Sequence, residues 1–555
     1  MHFIFKFSNW LICSLFFYSC AQIVNPSGGP KDTKPPRAVK YIPDSAARNF
    51  SSKNIAIVFD EYIQLADLQK QLIISPPLKN QPDIKVKGRT LFIELKDTLK
   101  KNTTYTFNFG NSIRDYTEGN AKEDFQYIFS TGDFIDSLKL SGNVKNAFDN
   151  KPEKGIVVML YETLATPTSV VLSNDSFPYK KLPSYFAKTK DDGSYKINNI
   201  KAGTYKAFVL KDINSNFLYD SPEELIGFSD TLIKISKKTS LNFILFQEIP
   251  AKQKLKKAIM AEHGHLIFSF IKPTSDSLKL NFLSKEPKEN VIYEFSKERD
   301  TLHYWFADDL QDTMKIILTE GKKFRDTVRL RPIALEQAKT SKRGEKWQLK
   351  VKTNVNKDKL FDINKNISVS FNHPVGDNWH TEKIIFTTST GKQPQCVDTT
   401  KEISKILFFH NWDLTCHLYN DSSYKLFVPP STFTDIFGLT NDTIKIDFKT
   451  QEEKFCGTLK LNLKIPKIKS QYILQLLDEK ENIVKEDFIS GAQTLNYTFL
   501  SPGSYKLKII YDKNSDGKWT TGNYLQKRQP EKIIYYSKPI TIRSNWDLEL
   551  EWKVE

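Results

Sequence analysis

Short apolar runs with alternating polar positions fill most of the chain beyond residue 37. Examples are Asn54-Ile-Ala-Ile-Val-Phe59, Thr90-Leu-Phe-Ile-Glu-Leu95 and Ile367-Ser-Val-Ser-Phe371. A period of two places every second side chain on one face of a strand, so that one face packs in a core and the other meets water. Turn residues separate the runs, and helical patterns are few. The pattern therefore predicts an all-β chain of tandem β-sandwiches.

An internal repeat pairs residues 38–133 with residues 350–451. Asn54-Ile55-x-Ile57-x-Phe59 in the first copy matches Asn366-Ile367-x-Val369-x-Phe371 in the second. Each copy also contains an Asp, Gly and Asn loop, in which side chains bond the local backbone and Gly accepts a left-handed conformation. Both copies resemble the bacterial Ig-like domain of envelope proteins, a resemblance that implies a sandwich fold and says little about activity.

A second repeat is tighter. Gly203-Thr-Tyr205-Lys206 and Gly503-Ser-Tyr505-Lys506 stand nine residues before Asp212 and Asp512, respectively. Near the first copy, Asp191-Asp-Gly-Ser-Tyr195 and Leu140-Ser-Gly-Asn-Val-Lys145 resemble parts of a transthyretin-like, carboxypeptidase-regulatory domain. That resemblance implies a seven-stranded accessory sandwich and carries over no metallopeptidase residue.

These patterns predict seven consecutive segments, of which the last five are sandwiches that we call units 1 to 5. The segments are a lipoprotein signal peptide (1–19), a lipidated Cys with a flexible tether (20–37), an Ig-like unit 1 (38–135), a transthyretin-like unit 2 (136–248), an unassigned β-sandwich unit 3 (249–343), a second Ig-like unit 4 (344–453) and a second transthyretin-like unit 5 (454–555).

The first twenty residues predict export and lipid attachment. Lys6 gives a positive start, residues 10–18 form an apolar core of the length expected for a signal peptide, and Ser19 precedes Cys20. This ending resembles a bacterial lipobox, in which the Cys becomes the acylated first residue, and several acyl chains would hold a protein durably at a membrane. A secretory signal with an incidental Cys20 is the alternative.

The tether that follows is rich in Pro and Gly, which prevent helix and ladder formation. Its sequence Gly28-Gly-Pro-Lys-Asp-Thr-Lys-Pro-Pro36 resembles that of Bacteroidota lipoproteins whose first domain is Ig-like. The resemblance implies residence in the outer membrane. We expect the protein to face the cell surface, and the periplasmic face stays open.

The motif Asp512-x-Asn514-x-Asp516-Gly517 is the clearest candidate for chemistry. Oxygen side chains at alternate positions before a Gly are how a tight loop surrounds Ca²⁺. The twelfth position of such a loop, where an EF-hand has a bidentate acid, is Asn523. We therefore expect a turn in which Asp and Asn side chains cap backbone amides, with a Ca²⁺ site at Asp512, Asn514 and Asp516 as the alternative. No cofactor is expected to be required.

Catalytic motifs are absent from the sequence. It contains no Gly-x-Ser-x-Gly, no His-Glu-x-x-His and no phosphate-binding Gly loop. His263-Gly-His265 is the one close His pair, and because no third ligand stands nearby we expect both side chains to be exposed and without a structural role. The sequence predicts a protein that is not an enzyme.

Three cysteines lie beyond Cys20, at positions 396, 416 and 456. Cys396 and Cys416 fall within one Ig-like copy, close enough in sequence to lie on neighbouring strands. A disulfide between them, closing a loop of about twenty residues and adding about 3 kcal/mol, is as consistent with the sequence as two buried thiols.

The chain carries 81 Lys and Arg against 65 Asp and Glu, a net charge of +16. The Lys residues are interspersed with acids and no nucleic-acid motif is present, so we expect no nucleic-acid partner. The excess positive charge suits an envelope surface or an acidic partner.

Together these features predict a non-enzymatic outer-membrane lipoprotein that serves as a structural or interaction subunit of a large envelope complex. The family resemblance implies an outer-membrane β-barrel assembly or transport machine as host, with the sandwiches arranged as a rod or an arc. A cell-surface adhesin or glycan-binding protein is the alternative.

Overall fold

The computed structural model describes residues 31–163, 176–236, 239–322, 324–339, 347–355, 360–363, 365–376, 383–389, 394, 396–398 and 408–554. Within these ranges, the chain forms forty strands and three α-helices of four or five residues. The predicted fold class of tandem β-sandwiches is confirmed.

Unit 1 packs two main sheets around one apolar cluster. The sheets follow the orders β1-β2-β6-β5 and β4-β7-β9, and β3 pairs with β8. Every second residue of β2 is buried in this cluster, as the alternation predicts. The elements are β1 (Ala38–Ile42), β2 (Asn54–Phe59), β3 (Ile63–Leu65), α1 (Leu68–Gln71), β4 (Ile73–Ser75), β5 (Asp83–Lys87), β6 (Thr90–Glu94), β7 (Thr104–Asn108), β8 (Ile113–Asp115) and β9 (Gln126–Ser130).

Unit 2 is one nine-stranded sheet in the order β12-β11-β14-β15-β18-β10-β13, with β16 on β14 and β17 on β10. Alternate residues of its strands form two apolar clusters on opposite faces, the core cluster of the unit and a second one that we call the outer cluster. The elements are β10 (Leu138–Asn146), β11 (Val157–Thr163), α2 (Phe177–Lys180), β12 (Tyr185–Lys188), β13 (Ser194–Ile200), β14 (Thr204–Leu210), β15 (Leu225–Phe228), β16 (Ile233–Lys234), β17 (Thr239–Ser240) and β18 (Phe243–Gln247).

Unit 3 is a sandwich of a four-stranded and a three-stranded sheet, in the orders β19-β20-β23-β22 and β21-β24-β25. The strands are all antiparallel, and their inner faces share one apolar cluster. The elements are β19 (Leu255–Glu262), β20 (His265–Phe270), β21 (Leu278–Phe282), β22 (Ile292–Phe295), β23 (Thr301–Trp305), β24 (Met314–Glu320), β25 (Phe324–Leu330) and α3 (Leu335–Lys339).

Unit 4 repeats the plan of unit 1, with sheets β26-β27-β30-β29 and β28-β31-β32. Its strands are β26 (Val351–Thr353), β27 (Ile367–Gly376), β28 (Ile385–Thr388), β29 (Cys396–Asp398), β30 (Phe408–Cys416), β31 (Ser423–Val428) and β32 (Ile444–Lys449). The tyrosine hydroxyls of the repeat make the same bond in both units. Tyr105 accepts a hydrogen bond from the amide of Lys100 at 2.9 Å, and Tyr424 accepts one from the amide of Tyr419 at 2.7 Å.

Unit 5 packs a three-stranded sheet, β36-β33-β40, on a sheet in the order β35-β34-β37-β38, with β39 on β37. The hydroxyl of Tyr505 donates to the carbonyl of Ser501 at 2.7 Å, as Tyr205 of unit 2 does to Lys201 at 2.8 Å. The strands are β33 (Gly457–Lys464), β34 (Gln471–Leu477), β35 (Ile483–Ile489), β36 (Gln493–Leu500), β37 (Gly503–Asp512), β38 (Ile533–Tyr535), β39 (Ile540–Ile542) and β40 (Asp547–Lys553), preceded by a 3₁₀ turn at Glu453–Phe455.

The chain folds back on itself, so that unit 5 contacts unit 2. A loop of unit 5, residues 513–532, reaches unit 2 and buries Tyr524 completely in the outer cluster of that unit. The hydroxyl of Thr521 donates to the carbonyl of Gln247 at 2.6 Å, and the side-chain Nε2 of Gln529 donates to the carbonyl of Phe228 at 3.0 Å. Because units 2, 3, 4 and 5 follow one another along the chain, this contact between units 5 and 2 closes a circuit.

Candidate functional site

Titratable side chains gather where unit 3 meets unit 4. Strands β20 and β23 contribute His265 and His303, and strands β27 and β30 of unit 4 contribute His373 and His410. Trp305, at the end of β23, lies among them. We call this region the histidine joint.

Two imidazoles of unit 3 bond directly to each other in the histidine joint. The Nε2 of His265 is 3.0 Å from the Nδ1 of His303. The ring of His265 also stacks on Trp305, with centroids 3.5 Å apart and an interplanar angle of 8°. Burial lowers the pKa of both histidines, because an imidazolium loses hydration in an apolar site.

On the unit 4 side, His373 is buried between two carboxylates. Its Nδ1 is 2.7 Å from the Oδ2 of Asp435, and its Nε2 is 3.8 Å from the Oε2 of Glu262 in unit 3. Burial alone would lower the pKa of His373, but the bonds with Asp435 and Glu262 outweigh burial and raise it. Burial would likewise raise the pKa of Glu262, but its bonds with His265 and His373 lower it to about 2.

The expectation that His263 and His265 are exposed is wrong, since they are 2% and 7% exposed. His263 lies against Trp347 and Phe437, with ring centroids 5.9 and 5.6 Å apart, and its Nδ1 is 2.8 Å from the carbonyl oxygen of Ile333. The alternation along β20 predicts that His265 points away from the core of its own unit. It cannot predict that a neighbouring unit covers that position.

The part of the chain that the structure describes contains no group of three or more His, Cys, Asp or Glu side chains arranged to hold a metal ion. Within the histidine joint, the side-chain contacts join imidazoles to carboxylates and to each other. Because imidazoles gain and lose protons near neutral pH, this arrangement can exchange protons among side chains of units 3 and 4.

The Asp512 loop is closed by its own hydrogen bonds. Asp512 is fully buried, and its carboxylate accepts the amides of Asp516 at 3.2 Å and Gly517 at 2.9 Å. The Oδ1 of Asn514 accepts the same Asp516 amide at 3.2 Å. Asp212 in unit 2 accepts the amides of Asn216 and Phe217 at 3.2 and 2.9 Å, so both copies form the same turn.

Each loop also has a buried carboxylate that sequence reasoning missed. Glu531 accepts the amides of Lys513 and Thr520 at 2.7 and 2.8 Å, and burial raises its pKa. Glu224 does the same for Ile213 and Asp220 at 3.2 and 3.1 Å. The separation from the first Asp differs between the copies, so no fixed spacing marked these residues.

Calcium titration decides between the turn and the metal site at Asp512, Asn514 and Asp516. Because both Asp512 oxygens already accept hydrogen bonds, we expect millimolar Ca²⁺ to leave the melting temperature unchanged. Asp512→Ala should destabilise unit 5 by about 1–3 kcal/mol, since it removes a buried carboxylate that is the acceptor for the half-buried amide of Gly517. A calcium-dependent rise in melting temperature that Asp512→Ala abolishes and Asp212→Ala retains would establish the metal site instead.

The cysteines of unit 4 lie on paired strands. Cys416 is disulfide-bonded, and the register of β29 and β30 sets Cys396 directly opposite it. The side chain of Cys396 lies outside the described residues, so the pairing of Cys396 with Cys416 stays a prediction. Cys456 is a free, buried thiol, and burial raises its pKa.

Alkylation with and without a reductant tests that pairing. We expect the denatured, unreduced protein to take up label at Cys456 and, after reduction, at Cys396 and Cys416 as well. Peptide mass spectrometry would locate each label. Cys416→Ser should release Cys396 for labelling without a reductant, whereas full labelling of the unreduced wild type would contradict the disulfide.

A cleft of about 900 Å³ lies between units 1 and 2. Carboxamides and charged groups line it, and the salt bridge from Lys190 to Asp124, at 3.0 Å, links the two units there. Tyr195, the aromatic residue that lines this cleft, is buried in the core of unit 2. The cleft can therefore offer hydrogen bonds to a ligand but no open aromatic face.

None of the described helices is long and apolar enough to cross a membrane. Residues 32–131 match the family model of a bacterial Ig-like domain. This match agrees with the resemblance noted for unit 1 and does not extend to the other units. Comparison with proteins of curated function finds no match.

Solved structures match the chain only at low identity and low TM-score. The Bacillus anthracis TIE protein is 10% identical, with 95% of this chain and 76% of that chain covered and a TM-score of 0.15. An S-layer protein, rSbsC, is 12% identical, with 91% and 66% covered and a TM-score of 0.14. A Bacteroides ovatus protein, SGBP-B of a mixed-linkage glucan utilization locus, is 10% identical, with 74% and 96% covered and a TM-score of 0.17.

The chain is similar to a bacterial Ig-like domain over residues 32–131, within a fold of tandem β-sandwiches.

Proposed function

We propose that this protein is a non-enzymatic structural or interaction subunit of a large bacterial envelope complex, anchored in the outer membrane through an acylated Cys20. An outer-membrane β-barrel assembly or transport machine is the host that we favour. The observation that supports this proposal most is the docking of unit 5 on unit 2. A closed circuit of sandwiches holds several surfaces at fixed distances, which a scaffold needs and an extended chain of modules lacks.

The contacts that close the circuit are extensive and specific. Besides the contacts of Tyr524, the ammonium of Lys508 lies 3.8 Å from the ring centroid of Phe148, and the side-chain Nδ2 of Asn150 donates to the carbonyl of Ile533 at 2.9 Å. Burial lowers the pKa of Lys508 to about 8. The contact between units 5 and 2 thus removes the Lys508 ammonium from water and sets it over an aromatic ring.

The alternative of a surface adhesin or glycan-binding protein has less support. The cleft between units 1 and 2 has hydrogen-bonding groups, but Tyr195 is packed into the core of unit 2. A sugar ring that enters this cleft would therefore find polar side chains without an accessible aromatic face.

Affinity capture in mild detergent tests the proposal. The tagged wild-type protein should recover a β-barrel protein in stoichiometric amount from the outer-membrane fraction. Cys20→Ala, with the same tag, should move to the soluble fraction and lose that partner. Recovery of the protein alone, together with binding on a glycan array, would favour the adhesin.

A further inference from the structure

We propose that the histidine joint is a pH-sensitive contact, which loosens when His265 and His303 take up protons. Between two neutral imidazoles at 3.0 Å, one nitrogen donates and the other accepts. If both rings are protonated, both facing nitrogens carry hydrogen. The bond is then lost and two positive charges repel at short range.

The pair is coupled to the surface where the two units meet. His265 stacks on Trp305, and Trp305 contacts His410 of unit 4 with centroids 5.3 Å apart. Trp305 also packs with Ile292 of unit 3 and Ile436 of unit 4 in one buried cluster. A displacement of His265 is therefore expected to move Trp305, whose ring contacts unit 4.

Glu262 of β19 is the first carboxylate that faces the pair. Its Oε1 is 3.5 Å from the Nδ1 of His265, and its Oε2 is 3.8 Å from the Nε2 of His373. It is thus shared between an imidazole of unit 3 and an imidazole of unit 4. With its pKa lowered to about 2, Glu262 stays negatively charged from neutral pH down to pH 5.

Glu294 of β22 is the second carboxylate. It is the strand partner of His303, and its Oε2 is 2.7 Å from the Nδ1 of His410 on β30. It also links a histidine of unit 3 to one of unit 4. Each of the two bridges across the joint therefore contains a carboxylate that also lies beside a histidine of the His265 and His303 pair.

The direction of the pH effect follows from burial. Burial lowers the pKa of His265 and of His303 below the ordinary value of about 6.5. Between the lowered pKa values and about pH 6.5, the opened joint therefore binds more protons than the closed joint. Closure is fully favoured above about pH 6.5 and becomes weaker as the pH falls toward the lowered values.

His373 acts in the opposite direction. Although burial lowers its pKa, its bonds with Asp435 and Glu262 raise it overall. Asp435 lies in the same unit as His373 and stays bound when the joint opens, so that only the contact with Glu262 changes. That contact is favoured while His373 is protonated and is lost as the pH rises through the raised pKa of His373. His373 therefore weakens the contact between the units at alkaline pH, and it does not cause the loosening at acidic pH.

Thiol protection tests the proposal on the full chain. Ile436→Cys places a thiol inside the joint, where Ile436 is buried, and native Cys456 supplies a buried thiol in unit 5. Labelling by 4,4′-dithiodipyridine would be followed by peptide mass spectrometry at pH 7.0 and pH 5.5. Rates would be normalised to a short cysteine peptide at each pH.

We expect the normalised rate at position 436 to rise at least tenfold at pH 5.5, because each proton taken up changes the open-to-closed ratio by up to about tenfold per pH unit. His265→Gln with His303→Asn replaces both rings with amides that can still bond and do not titrate, and should abolish the rise. His417→Gln alters an exposed histidine of unit 4 and should preserve it.

Three outcomes would overturn the proposal. The first is an unchanged rate at position 436 between the two pH values. The second is an equal rise in the double variant, which would assign the effect to other groups. The third is a parallel loss of protection at Cys456, which would show general acid unfolding.

Discussion

Replacing Tyr524 with Ala should release unit 5 from unit 2 while leaving the core of each unit folded. The side chain is fully buried among rings of unit 2, with centroids 5.1 Å from both Phe208 and Phe228. It belongs to the outer cluster of unit 2 and takes no part in the core cluster of unit 5. Truncating a buried aromatic side chain costs about 3–5 kcal/mol, so undocking should become at least a hundredfold more frequent.

Small-angle scattering should report this change as a larger radius of gyration, and limited proteolysis as faster cleavage near residues 451–456. Leu525→Ala is the matched control, since Leu525 follows Tyr524 in the same loop and is 62% exposed. It should change stability by no more than about 0.5 kcal/mol. A Tyr524→Ala protein with the dimensions and protease resistance of the wild type would show that the docking does not depend on this side chain.

A second variant probes the same surface by adding volume. A Cβ on Gly522 would lie 2.5 Å from the ring of Phe246 in unit 2, and that ring is itself buried. Gly522→Val should therefore undock unit 5 as Tyr524→Ala does. Agreement between a variant that removes contacts and one that creates a clash would separate loss of docking from loss of folding.

The sequence predicts the strands and cores well, because alternation is a local property. Ile55, Ile57 and Phe59 are all buried, as period two requires. The repeated loops can also be predicted from the sequence, since Asp212 and Asp512 accept equivalent backbone hydrogen bonds. Local chemistry and local geometry agree at these positions.

Contacts between units that are distant along the chain cannot be predicted from the sequence pattern. Tyr524 stands alone in a polar loop, without an apolar neighbour at strand or helix spacing that would mark a buried position. His265 and His303 are 38 residues apart, and each occupies an outward position of its own sheet. Unit 4 covers the outward face of this sheet at Trp305, and the placement of unit 4 depends on the whole fold.

Replacing Gly142 with Ala should destabilise unit 2 by about 3 kcal/mol or more. Gly142 lies in β10, within the Leu140-Ser-Gly-Asn-Val-Lys145 motif, and a Cβ there would lie 1.8 Å from the carbonyl oxygen of Leu241. That oxygen accepts a hydrogen bond from the hydroxyl of Tyr195 at 2.7 Å, and the amide of Leu241 donates to Ser141 at 2.9 Å. Because the obstructing atom is backbone held at two points, the strands must separate to admit a methyl group.

Hydrogen exchange followed by mass spectrometry should show this loss as faster exchange in β10, β17 and β18, which pair in parallel. Unit 1, which has its own apolar cluster, should keep its protection. Gly503→Ala is the matched control, because nothing lies within 4 Å of the Cβ it would add, and such a change is neutral or stabilises by about 0.4–1 kcal/mol. Equal exchange in both variants would contradict the close approach of Leu241 to Gly142. Faster exchange confined to Gly142→Ala would establish that this glycine permits the parallel pairing on which the sheet of unit 2 is built.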